Sequence, residues 1–343
     1  DSRFSCQGSA LFNEILGYLG CTHSGMAGGH FYVLEIELNY FQPLYPFLIG
    51  WAVILVSNSF AVIGLVNGLV QLTLFALVVC VPIWRTGRMS YVDIGWPWGL
   101  VLMALLAFGL SDGYWLRSLV ISLLLAGVGL RMGLGALNFW RLGLLKKELP
   151  RYQYQRIRWQ EEGKHHEGLA LQVDAIAQGL ANASFLALPI FMLAANPSQK
   201  FSLLEVVGLS VSLVALCLES LADVQKVNFL RAMKRQGKYN QVCDVGLWRY
   251  CRHPNYFYEW MVWNGMVIAA VPSWLALQGS ESLTIWGMLG VGLLFTSKVM
   301  YKTLVYTTGA VPSEYYSEQK RAGYQDYQQR TNRFFPGRPR LSS

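Results

Sequence analysis

Residues 38–84 read LNYFQPLYPFLIGWAVILVSNSFAVIGLVNGLVQLTLFALVVCVPIW, without a single Asp, Glu, Lys, Arg or His. A helix needs about 20 apolar residues to cross roughly 30 Å of hydrocarbon, so this run holds two crossings. Ser57 and Asn58 near its middle mark the turn. Further apolar stretches lie at about 96–111, 118–140, 169–195, 202–222, 256–278 and 283–306. They bring the expectation to an all-α polytopic bundle of eight spans. Seven remains an alternative, because Asp174, Glu259, Lys298 and Lys302 interrupt or flank the last four.

Composition agrees. Of 343 residues, 53% are hydrophobic and only 14% are charged, against about 25% charged in soluble domains. That excludes a disordered chain and argues against a soluble globule. With eight spans, both termini and the loops near 85–95, 141–168 and 223–255 share one side, which carries 23 of the 28 Lys and Arg. The opposite loops hold only Arg117 and Lys200, while Arg131, Lys298 and Lys302 fall inside spans. The positive-inside rule then places both termini on the cytosol or matrix side of an integral membrane protein. The membrane could be a bacterial inner membrane, the endoplasmic reticulum or the mitochondrial inner membrane. Because the bases are not gathered on one soluble domain, nucleic acid is not an expected partner.

The division expected is an extramembrane arm over 1–42, a membrane domain over 43–336 with a cofactor half at 200–336, and a short tail at 337–343. The chain begins at Asp1, as it would after removal of a presequence or trimming. Cys6, Cys21, Cys80, Cys217, Cys243 and Cys251 form no CxxC pair. A Cys6–Cys21 disulfide would need an oxidising compartment. The 141–168 loop contains His165 and His166, but adjacent histidines on a helix diverge and no carboxylate-rich partner stands at ligand spacing. No metal site is expected.

Polar chemistry concentrates in 219–259, ESLADVQKVNFLRAMKRQGKYNQVCDVGLWRYCRHPNYFYE. Glu219, Asp223 and Lys226 share one helical face. Pro254 suits the first turn of the next span. Helix N-termini attract phosphate, and Arg249 and Arg252 stand just upstream. Asn255, Tyr256 and Glu259 follow at the helix mouth, where a polar group must find a partner. Lys298 and Lys302 sit on one face of the last span, and cations within a span usually face a polar cavity or snorkel to the surface. The tail, EYYSEQKRAGYQDYQQRTNRFFPGRPR, has aromatic spacing that suggests packing back over this mouth, bringing Arg330 and Tyr324 near a bound anion.

RHPNYFYE, ESLADVQ, LWRYCRHP and GYQDYQQRTNRFFP resemble the DUF1295 branch of the steroid 5α-reductase-like membrane enzymes. MSYVDIGWPWG and ELPRYQYQRIRW also look like that branch, so the resemblance covers roughly 80–336. The RHPxY element by itself is shared with isoprenylcysteine carboxyl methyltransferases. The resemblance implies that NADPH is held in the C-terminal half and reduces a C=C bond conjugated to a carbonyl in a lipophilic steroid, polyprenyl or enoyl substrate. It assigns Asp223, Arg252, His253, Asn255, Tyr256 and Glu259 to the cofactor pocket. Charge and position add Arg249, Lys298 and Arg330. The group that polarises the carbonyl is expected from Tyr91 and Asp93 beside Arg88, as a hydrogen-bonded Tyr–Asp proton donor. The other reading of SYVDIGW is a polar helix start capped by Ser90 or Asp93.

Two positions depart from the family pattern: Tyr258 replaces a glycine and Cys251 a serine. A tyrosine there could occupy cofactor space, leaving a reshaped pocket or a scaffold without turnover. Two other functions therefore accompany the reductase. One is an accessory subunit of a larger membrane assembly; the other is an adenosylmethionine-dependent methyltransferase. Besides its small-molecule substrate and membrane lipids, the accessory reading adds other subunits as partners.

Overall fold

A computed structural model describes residues 39–340. Among them 79% are helical and none is in a strand. Eight helices are long and apolar enough to cross a membrane. The protein is an integral membrane protein with an all-α architecture. The spans are α1 (Asn39–Val56), α2 (Ala61–Thr86), α3 (Met89–Leu110), α4 (Trp115–Arg141), α6 (Glu167–Ala194), α7 (Leu203–Arg235), α8 (Pro254–Gly279) and α9 (Leu283–Lys302), the last continuing as helix toward Lys320. Shorter helices include α5 (Pro150–Glu161), α10 (Ala310–Lys320) and α11 (Tyr324–Arg330), and a single turn at Leu247–Tyr250 precedes α8. Residues 1–38 and 341–343, with the Cys6–Cys21 pair and most of the arm, lie outside the described residues.

The turn at Ser57 and Asn58 falls where α1 gives way to α2. Two boundaries move most: α3 starts at Met89 instead of 96, and α7 continues beyond 222 to Arg235 and ends before Gly237, whose φ is +70°. Its last turns are amphipathic and carry basic residues at the helix C-terminus, which the macrodipole favours.

Loop contacts fix the alternation of spans. Ser57 Oγ donates to Glu281 at 2.7 Å and Asn58 Nδ2 to the Ser280 carbonyl at 2.9 Å, joining the α1–α2 and α8–α9 turns. Arg117, 1% exposed, pairs with Glu205 and donates to the carbonyls of Asn196 at 3.1 Å and Lys200 at 2.8 Å. Asn196 Nδ2 reaches Ser273 Oγ at 2.8 Å, tying these loops to the same end. At the other end, Glu148 accepts from the Met89 N–H at 2.8 Å, and the rings of Tyr154 and Tyr315 lie 5.0 Å apart. That end carries most of the Lys and Arg.

The second half of α6 is the axis. Every residue from Leu186 to Ala194 is buried, as expected of a helix apolar on all sides. Among its deep polar groups, Asn182 donates to Gln71 Oε1 and the Trp96 carbonyl, both at 3.2 Å. The closest helix pair is α7 and α8, which meet at glycines. A Cβ on Gly265 would stand 2.6 Å from the Gly208 carbonyl, whereas one on Gly287 would meet nothing within 4 Å. Small residues permit such backbone approach in membranes. Gly265→Leu should therefore lower stability in detergent by about 3 kcal/mol or more through overpacking. Gly287→Leu should leave the unfolding temperature nearly unchanged, and thermal unfolding of the two variants checks both.

Candidate functional site

The motif ahead of α8 is fastened to the tail. Arg252 Nε donates to Glu314 Oε1 at 2.7 Å, and its Nη1 to the carbonyls of Gln328 at 2.8 Å and Thr331 at 2.6 Å. Backbone bonds run from Arg252 N–H to the Asn332 carbonyl at 2.9 Å and from Gly337 N–H to the Tyr250 carbonyl at 3.0 Å. The Cys251 thiol donates to the Phe334 carbonyl at 3.0 Å, and burial pushes its pKa up to about 12. His253 stacks on Tyr256 with ring centroids 5.5 Å apart and meets Glu314 Oε1 at 3.2 Å. Burial lowers the imidazole to about 4, against the upward pull of Glu314. It is neutral, and its Nε2–H donates to the carboxylate.

Above this node opens a cavity of about 390 Å³. Arg151, Lys226, Arg252, Lys320 and Arg321 line it together with hydroxyls from Ser313, Tyr316, Ser317 and Tyr324, and no carboxylate does. Arg151 is paired with Asp93 and Arg252 with Glu314. Among the described residues, Lys226, Lys320 and Arg321 have no carboxylate partner: Lys226 lies 3.9 Å over the Trp248 ring, Lys320 5.6 Å from the Tyr316 ring, and Arg321 donates to Ser317 Oγ at 3.4 Å. Three uncompensated cations around one cavity are suited to a polyanion.

Below the cavity the charge reverses. Lys226, Asp223 and Glu219 descend one face of α7, and Tyr256 and Glu259 descend α8. Arg131 of α4 pairs with Glu219 and, through Nη1 at 2.7 Å, with Asp223; Asn255 Nδ2 donates to Asp223 at 3.2 Å. Glu219 Oε2, Asn255 Oδ1 and Arg131 Nε are buried without a hydrogen-bond partner.

The proposed site residues thus separate. Arg252, His253 and Tyr256 line the cavity. Asp223, Asn255 and Glu259 belong to the acidic cluster beneath. Glu314 and two carbonyls use three of the five N–H donors of Arg252, at Nε and Nη1. Arg249 is exposed and outside the cavity lining, and Arg330 pairs with Asp244 at 2.9 Å. Lys298 is exposed, its ammonium 5.9 Å from the Phe295 ring, as a cation near a helix end places its head toward the surface. Tyr91 does not bond Asp93; its hydroxyl receives Arg88 Nη2 at 3.0 Å. The tyrosine–aspartate pair is formed instead by Tyr152, whose O–H donates to Asp93 Oδ1 at 2.6 Å. Burial and the Asp93 charge raise the Tyr152 pKa well above the usual tyrosine range. Tyr258 lies outside the cavity lining, half-buried with its ring 5.2 Å from Phe257.

Sequence reading missed Arg151, Glu314, Lys320 and Arg321 as members of the site. Arg131 carried a signal, since an arginine within an apolar span needs a counter-charge. The other four sit in polar segments where nothing local sets them apart.

Fold and site define a polytopic helical membrane protein with a cationic cavity at one end and an acidic cluster under it. The chain belongs to the DUF1295 family, described as a protein family of unknown function, which it matches over residues 80–331. No curated protein and no solved structure matches it.

The His253 imidazole binds its proton less readily in the folded chain, at about 4, than when unfolded, at about 6.5. Between those values the unfolded state holds more protons, so stability falls as pH falls. From pH 7 to pH 5, the wild type should lose about 2 kcal/mol more than His253→Gln. Thermal unfolding at several pH values reads the difference; parallel curves would refute it.

Proposed function

We propose that the protein is a membrane-embedded reductase that takes NADPH in the cationic cavity and reduces a C=C bond conjugated to a carbonyl in a lipophilic substrate. One observation carries this reading: Lys226, Lys320 and Arg321 face one cavity with no carboxylate among the described residues to compensate them. The donor set fits the phosphates of a dinucleotide, which the lysines, the arginine and the hydroxyls of Ser313 and Ser317 would hold. Tyr256 and His253 present stacked rings at the cavity wall. When bound, NADPH supplies a hydride.

The chain supplies the rest. Tyr152 keeps its proton in the folded protein, is oriented by Asp93, and adjoins the cavity-lining Arg151; it takes the proton-donor role expected of Tyr91. The neighbouring apolar spans exclude water from the reacting carbon. Tyr258 is not among the residues lining the cavity, which supports turnover. Adenosylmethionine, a sulfonium without phosphates, fits a cavity of surplus positive charge poorly.

Titration of the detergent-purified chain with NADPH, NADH and adenosylmethionine tests this. NADPH should bind most tightly, with affinity falling steeply as salt rises. Lys320→Ala and Arg321→Ala together should weaken it by about 10–100-fold, the loss of charge-assisted hydrogen bonds. A folded wild type that binds no dinucleotide would overturn the reading and direct attention to co-purifying subunits.

A further inference from the structure

The exposed face of α7 changes character along its length. Val206, Leu213, Leu221, Val224 and Val227 are each 43–56% exposed, and their helical spacing places them in one apolar row. Arg231, Lys234 and Arg235 continue that row through the last turns of the helix, and Lys238 follows the turn at Gly237. All four cations are exposed. Between Asp223 and Asp244 the sequence has no Asp or Glu, and none of the four has an ion-pair partner among the described residues. The basic helix α5 is different: Arg156 pairs with Glu148 at 2.9 Å and Arg158 with Glu162 at 3.7 Å.

Helix length places the change at the membrane surface. From Val206 to Val227 the axis rises roughly 32 Å at about 1.5 Å per residue, close to the thickness of the hydrocarbon layer. Arg231 stands one turn further on, at headgroup depth. Lys226 belongs to another face of the same turns and lines the cavity, so the basic row and the proposed cofactor site share no side chain.

We propose that the end of α7 binds anionic phospholipid. The acyl chains lie against Val224 and Val227, and Arg231, Lys234, Arg235 and Lys238 meet the phosphates. Both parts of the row favour a lipid over a protein as the occupant. The apolar part continues, without a break, the face that α7 turns to hydrocarbon within the span. The basic part stands where headgroups lie, with its charge uncompensated, and clusters of four or more Lys and Arg just beyond a span select anionic headgroups.

The test is photocrosslinking of the full chain, with p-benzoylphenylalanine incorporated at Val227, in nanodiscs of equal parts phosphatidylcholine and phosphatidylglycerol. Mass spectrometry identifies the headgroup of the captured lipid. Phosphatidylglycerol should exceed phosphatidylcholine by about fivefold, the enrichment that one cation near the surface supplies. The same probe at Val62, 77% exposed at the opposite end of the bundle, should capture the two lipids equally. Combining Arg231→Gln, Lys234→Gln, Arg235→Gln and Lys238→Gln should bring the ratio at Val227 to that at Val62. Raised salt should do the same without the substitutions, and it carries the test if the fourfold variant does not fold. Equal capture of the two lipids at Val227, or a preference that survives the substitutions or the salt, would overturn the inference. Capture of a protein in place of lipid in native membranes would also overturn it and assign the face to a protein partner.

Discussion

Glu314 is the group on which the architecture of the cavity end depends. It is 3% exposed and fills both its oxygens: Arg252 and His253 reach Oε1, and Arg333 reaches Oε2 at 2.9 Å. One carboxylate on α10 thereby holds the segment ahead of α8 and the tail after α11 in fixed register. Such a node is stable only when complete, because an uncompensated buried charge costs several kcal/mol. Phe334 then seats among Phe257, Trp260 and Tyr301, with ring centroids at 5.8, 5.9 and 5.2 Å. The arginine most conspicuous in the motif is thus a structural tie, and the free positive charge lies elsewhere.

That division of labour organises the whole site. Cations with carboxylate partners, Arg151 and Arg252, build the walls; cations without them, Lys226, Lys320 and Arg321, face the cavity. One turn deeper the sign changes, with Glu219, Asp223 and Glu259 around Arg131. A polyanionic ligand matches the cations at the cavity. The proposed reductase chemistry is a consequence of the cationic arrangement.

Much of the fold was legible because a membrane imposes a simple rule on sequence. An uncharged run such as 38–84 has few structures open to it in hydrocarbon, and the sorting of Lys and Arg by loop gave the alternation that the Ser57–Glu281 and Glu148–Met89 contacts display. The extension of α7 to Arg235 escaped because the apolar signal ends before the helix does. Within the site, Arg252, His253 and Tyr256 were found because they cluster in sequence beside a helix start. Tyr152 was not: its partner Asp93 lies 59 residues away, while Tyr91 was only two residues from it and drew the assignment. Lys320 and Arg321 were hidden for a related reason, since any surface helix ends in such residues and only tertiary packing turns them toward a cavity.

The most direct test of the account is a cryo-electron microscopy map of the purified chain with NADPH. It should show phosphate density against Lys226, Lys320 and Arg321. Density for the dinucleotide at another surface, or an empty cavity at saturating NADPH, would contradict it.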